Sequence, residues 1–141
     1  MSLYINNINK MKFKIRLYGS IGMGLAIALG AFGSHWAKGV INETALSAYD
    51  IGVRHLFYHS LASLALATWF ENEGKEGKRI FLSFFWGTLL FSGSLILLSF
   101  QVLLPFSLKG IGIITPLGGI LLLVGWTLTV RFVLKSRKMF S

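Results

Sequence analysis

The sequence predicts an all-α membrane protein, a four-transmembrane-helix bundle with its N and C termini in the cytoplasm. Three observations predict it: an apolar composition too rich for a small soluble domain, four long apolar runs, and a one-sided distribution of Lys and Arg. A chain of 141 residues is ordinarily one domain. It is 54% hydrophobic and only 13% charged, about half the charged share of soluble proteins. A soluble domain this short keeps much of its surface in water and has no room to hide that apolar excess. Cysteine is absent, which excludes a disulfide framework and a thiolate metal site. A net charge of +9 would point to nucleic acid in a soluble protein. Here the basic residues flank apolar runs, as they do beside a bilayer, so the expected partner is lipid and not nucleic acid.

Residues 1–16 form a basic cytoplasmic segment. The transmembrane domain covers 17–133, and 134–141 is a basic cytoplasmic tail. The expected spans are 17–36, 53–70, 80–104 and 111–133, close to the roughly 20 apolar residues that cross a hydrocarbon core. The runs are too long, and alternate too little, for strands. Leu17 to Gly33 contains no charged residue. Small residues recur every four positions at Gly22, Ala26, Gly30 and Ser34, with Ser20, Gly24 and Ala28 alongside. Such rows let helix backbones approach closely in a bilayer, and they predict a central, retained first helix. The competing reading is a signal peptide, with Lys10–Arg16 as its charged region and cleavage after Gly30. Between the first two spans, Asn42 is a candidate N-cap for a short amphipathic helix on the outer interface. Glu71 to Arg79 is expected to be a loop. Pro105 to Gly110 is another, with Pro105 stopping the third helix. Gly93, Gly118, Gly119 and Gly125 are further candidate packing positions.

Orientation follows from charge. Lys10, Lys12, Lys14 and Arg16, then Lys75, Lys78 and Arg79, then Arg131, Lys135, Arg137 and Lys138 share one side of a four-span chain. Only Lys38, Arg54 and Lys109 fall on the other. Cytoplasmic loops are enriched in Lys and Arg, so the side with eleven is cytoplasmic. Trp36 and Trp69 are expected near opposite interfaces as amphipathic anchors.

Four short segments carry a family resemblance. Ala31-Phe32-Gly33-Ser34-His35 resembles the Gly-Ala-Phe-Gly-Ala-His signature of the YgdD/YwdK family of small bacterial inner-membrane proteins. That family is a domain of unknown function with small mitochondrial-type relatives in animals. Tyr58-His59-Ser60-Leu61-Ala62, Leu90-Phe91-Ser92-Gly93-Ser94-Leu95 and Ile114-Thr115-Pro116-Leu117-Gly118-Gly119 followed by Gly125-Trp126 are similar to its later signatures, in order. Ser34 and Ser60 stand where the family usually has Ala, and His55 where it often has Tyr. The resemblance spans about Leu17 to Thr129. It implies a multi-pass protein of the bacterial inner membrane and carries no established reaction.

Ionisable groups inside a bilayer are functional suspects. His35 is expected to close the first span, and His55 and His59 to open the second, which puts all three in one outer-leaflet polar layer. His55, His59 and Ser63 share a helix face at one-turn spacing. Asp50 and Arg54 have ion-pair spacing. Two readings compete. Imidazoles at His35, His55 and His59 are a candidate zinc or copper set, with a haem between His35 and His59 as a variant. The favoured reading is a structural layer in which His59 bonds a backbone carbonyl, Ser92 or Ser94, so no metal or other cofactor is expected. The five acids, Glu43, Asp50, Glu71, Glu73 and Glu76, all fall at ends or in loops, where proton-driven cation export would need one at mid-membrane. A broken helix at Ile114–Gly119 would suit a transporter, but Pro116 in a first helical turn costs little. No nucleophile–base pair, phosphate loop or paired carboxylate is present, so the chain is expected to be no enzyme. The expected function is a non-enzymatic accessory or scaffolding membrane protein, in a homo-oligomer or a larger membrane complex. The alternatives are a small-solute or ion transporter and a His-based metal or haem binder.

Overall fold

A computed structural model describes residues 2–69 and 74–137, with side chains placed for 9–68, 75–108 and 110–135. Four long helices follow one another: α1 Ser2–Phe32, α2 Glu43–Trp69, α3 Gly74–Ser99 and α4 Ile114–Arg137. Three stretches, Asn9–Val40, Lys75–Ser99 and Gly110–Lys135, are long and apolar enough to cross a membrane. Helix α2 is long enough but is not among them: Arg54, His55 and His59 interrupt its apolar run.

Each helix packs on its neighbours in sequence, whereas α1 and α4 do not pack against each other. The expected bundle is therefore an open layer, not a closed ring. Helix α1 is a flank of it, not its centre. Its Ile21, Leu25 and Ile27 are about half exposed or more, and α2 takes the interior place between α1 and α3. That placement explains how a long helix outside the three most apolar stretches is tolerated: its polar face meets protein on both sides.

The boundaries also differ from expectation. Helix α1 takes in the basic N-terminal segment and runs through a π-helical turn, Gly33–Ala37, into Lys38–Val40. Ile41 is extended. The Asn42 side chain then accepts a 2.9 Å bond from the Ala45 amide, the expected N-cap. The helix it caps is not a separate interfacial piece, however: it continues unbroken to Trp69. Residues 75–79, expected in a loop, form the first turns of α3, and 70–73 lie outside the described residues. Helix α3 stops at Ser99, short of the expected Leu104, and a single 3-10 turn, Gln101–Leu103, follows. The Gln101 side chain closes the next loop by donating to the Phe106 carbonyl and accepting from the Leu108 amide. Pro116 lies in the first turn of α4, and the Ile114–Gly119 helix is unbroken.

The core has two parts. At one end Ile15, Leu66, Ala67, Ile80, Phe84, Leu122 and Phe132 cluster. This places Lys14, Arg16, Lys78, Arg79 and Arg131 at a common basic end, as the charge pattern requires. Ala37, Ile41, Tyr49 and Val53 form the second cluster at the opposite end.

Close approach at this second cluster needs Gly33. A Cβ there would lie 2.6 Å from the Tyr49 ring. The Tyr49 hydroxyl donates to the Leu29 carbonyl at 2.6 Å, one turn before the π turn. Tyr49 is fully buried, so one side chain locks α1 to α2 where α1 widens.

Candidate functional site

The small-residue rows are partly used. Gly22 faces Ser60, whose Cβ would be 3.0 Å from an added Cβ, and Ala26 is buried. Gly30 makes only an ordinary contact with Val53, Ser34 is exposed and bonds its own helix at Ala31, and Ser20, Gly24 and Ala28 are exposed. The contact row instead includes Gly19, which lies against Leu64 and the Ser60 carbonyl, and Gly33. A 3.6-residue turn drifts off a strict four-residue row, and the π turn shifts it further. Between α3 and α4, Gly118 meets the backbone of Leu90 and Phe91, Gly125 the Phe84 ring, and Gly119 the Phe91 ring at 3.6 Å. Gly93 faces open space and is no packing site. Gly52, against Ile96 and the Ser92 carbonyl, and Gly87, against Leu122, are packing positions that sequence reading missed. Each stands alone, without the periodic row that would have marked it.

The structure does not assemble a three-histidine layer. Helix α2 begins at Glu43, so His59 lies sixteen residues inside it, about 24 Å along the axis. It faces Phe84 and Trp126, near the midpoints of α3 and α4. Gly22 is level with Ser60, and His35 lies thirteen residues beyond Gly22 on α1, about 20 Å along that helix. His35 is exposed, too far off to share a metal or a haem with His59. Among the described residues, no group of three or more potential metal ligands comes together. The expectation failed because the piece read as an interfacial helix is part of α2, which moves His59 inward.

His55 and His59 do share a face, with stacked rings 6.0 Å apart. Each imidazole Nδ1 bonds the carbonyl one turn back, His55 to Ile51 and His59 to His55, both at 2.9 Å. The Trp126 indole donates from Nε1 to His59 Nε2 at 3.2 Å. A carbonyl only accepts and an indole N–H only donates, so His59 is the neutral tautomer with its proton on Nδ1. His59 is 6% exposed; its ring joins α2 to α4 past Phe84. Of the partners expected for His59, it bonds a backbone carbonyl, that of His55, and neither serine. Ser94 bonds Thr115 at 2.6 Å, joining α3 to α4. Ser92 is buried without a partner. Ser63 is buried and donates to the His59 carbonyl at 2.7 Å. Arg54 donates its Nε to the Asp50 backbone carbonyl at 3.3 Å, so the Asp50–Arg54 pair is not an ion pair.

A second polar group lies where α1, α2 and α3 meet. The hydroxyls of Tyr18, Ser60, Thr88 and Ser92 are buried without a completed hydrogen bond. Tyr18 reaches over α2, edge-on to Phe81 and Phe85, and lies beside Thr88. Sequence reading singled out Ser92 alone of these four, because isolated hydroxyls in apolar helices carry no spacing signal.

Trp36 packs with tilted rings against Phe32 and Phe100 at the end opposite the basic one, a position suited to an interfacial anchor. The side chain of Trp69 lies outside the described residues.

Comparison with known proteins places the chain. No solved structure matches it. It is 35% identical to a UPF0382 membrane protein of Haemophilus influenzae, over 82% of this chain and 90% of the relative. It is 34% identical to the UPF0382 membrane protein YwdK of Bacillus subtilis, over 81% and 90%. It is 31% identical to the UPF0382 inner membrane protein YgdD of Escherichia coli, over 79% and 82%. Residues 29–119 match the family described as protein of unknown function (DUF423), and they include both ends of the Gly33–Tyr49 and Ser94–Thr115 contacts and His59 itself. With its apolar helices and these relatives, the chain is a helical membrane protein and belongs to the DUF423 family.

Proposed function

We propose that this protein crosses the bacterial inner membrane four times, with both ends in the cytoplasm, and acts as a non-enzymatic accessory or scaffolding subunit, in a homo-oligomer or a larger membrane complex. The carrying observation is the use made of His59. It is the buried histidine among the described residues, and both its ring nitrogens are engaged: Nδ1 with the His55 carbonyl of its own helix, and Nε2 with the Trp126 indole, which joins α2 to α4. A group held this way sets helix register and has no free nitrogen for a substrate. The gathering of Lys and Arg at one end supports the cytoplasmic placement of that end. Topology is read by single-cysteine labelling, since the chain has no cysteine of its own. Cysteines at Ser2 and Ser141 react only after the inner membrane is breached, and one at Ser107 reacts from outside. A gentle-detergent purification then tests the role: specific copurifying membrane subunits are expected.

One observation favours a second reading, a small-solute or ion transporter acting as a homo-oligomer. The unpartnered hydroxyls of Ser60, Thr88 and Ser92 are groups that water or a polar solute would satisfy. Solute flux in proteoliposomes containing this protein alone, lost on Thr88→Val, would establish the transporter and displace the accessory role.

A further inference from the structure

At the basic end, α3 and α4 flank a cavity of about 220 Å³. Its wall is apolar, from Ile80, Leu128 and Phe132, and its rim is charged, from Glu76, Arg79, Arg131 and Lys135. Glu76 accepts a 3.1 Å salt bridge from Lys135. Arg79 and Arg131 have no carboxylate partner among the described residues. Two guanidiniums are thus held over an apolar wall with one acid between three cations. Arginine presents a planar fork that matches phosphate in bidentate fashion. The cavity lies where the apolar parts of α3 and α4 give way to the basic end, which the proposed orientation puts at lipid headgroups. An occupant must be anionic at the rim and apolar below it.

We propose that this cavity binds the phosphate of an anionic phospholipid, with Arg79 and Arg131 on the headgroup and the upper acyl chain against Leu128 and Phe132. Glu76 holds Lys135 to the side and leaves the two arginines facing the phosphate. The site deepens the reading above, and its leaflet assignment rests on the proposed orientation.

The test uses the full chain in nanodiscs of equal phosphatidylcholine and phosphatidylglycerol. Retained lipid is identified by native mass spectrometry after gentle extraction. Both faces of the disc carry the same lipids, so the result does not depend on topology, which cysteine labelling checks separately. The unaltered protein is expected to retain phosphatidylglycerol selectively. Arg79→Gln with Arg131→Gln is expected to cut that selectivity roughly thirtyfold, and each single change about fivefold, from the usual attraction of one basic residue to an anionic surface. Both arginines are exposed, so unchanged thermal unfolding is expected. The single variants supply the answer where the double variant aggregates. Lys14→Gln, at the same end but outside the cavity, should keep the selectivity. Equal retention of both lipids would overturn the proposal, as would full selectivity in the arginine variants. An equal loss with Lys14→Gln would show a diffuse field and no site. Displacement of the lipid by inorganic phosphate alone would show a free-anion site, and would overturn the lipid assignment.

Discussion

Replacing Gly118 by Ala should break the α3–α4 interface, whereas the same change at Gly93 should help. At Gly118 an added Cβ would sit 2.8 Å from the Phe91 Cα and 2.9 Å from the Leu90 carbonyl carbon. Carbon atoms pack best at about 3.5–4.0 Å, so the helices must part by roughly 1 Å. The obstacle is backbone, and no rotamer change relieves it. Overpacking of this kind costs about 1–3 kcal/mol, and the rigid obstacle puts Gly118 near the upper end. Alanine recovers about 0.8–1.0 kcal/mol of helix propensity over glycine. The net loss is then about 2 kcal/mol. At Gly93 nothing lies within 4 Å of the added atom, so only the gain remains, about 0.5–1 kcal/mol. Equilibrium unfolding in mixed micelles titrated with SDS, followed by far-ultraviolet circular dichroism, should separate the two variants by about 3 kcal/mol. Gly125→Ala adds an internal control. Its obstacle is the Phe84 ring, 2.6 Å from the added Cβ, so Phe84→Leu should rescue it, while no side-chain truncation at Phe91 should rescue Gly118→Ala. A Gly118→Ala protein as stable as Gly93→Ala would refute the packing argument.

The His59–Trp126 bond should show a coupling of about 0.6 kcal/mol, and at most about 1.7, in a double-mutant cycle with His59→Phe and Trp126→Phe; additive losses would mean that the bond does not form. Nitrogen-15 shifts of His59 in the folded protein should report a protonated Nδ1 and an unprotonated Nε2. Asn42→Ala should lose about 1 kcal/mol through the N-cap of α2, and Asn42→Ser should recover most of it. Ser94→Ala and Thr115→Val should each destabilise by about 0.6 kcal/mol, with little further loss when combined, because they share one bond.

The sequence by itself determined the helical membrane character, the gathering of basic residues at one end, the Asn42 cap, the harmless Pro116 and the family. These are local or compositional properties. A cap is made within one turn, and an apolar run needs lipid whatever it packs on. Tertiary structure decided the rest. His59 meets Trp126 across 67 positions of chain, and that meeting depends on the register of α2 against α4. The register depends on close approaches at Gly52 between α2 and α3 and at Gly87, Gly118 and Gly125 between α3 and α4, and Gly52 and Gly87 stand outside any periodic row. The length of α2 turned on whether the helix begun at Asn42 stops or continues, and packing by α1 and α3 on both sides favours continuation. That continuation moved His59 from an outer leaflet to mid-bundle, away from His35. The apolar pattern of a helix says that it will be covered, by lipid or by protein; only the neighbours decide which. For this reason the open layer, with α1 at its flank and the histidine-bearing α2 inside, was not legible in the residues alone.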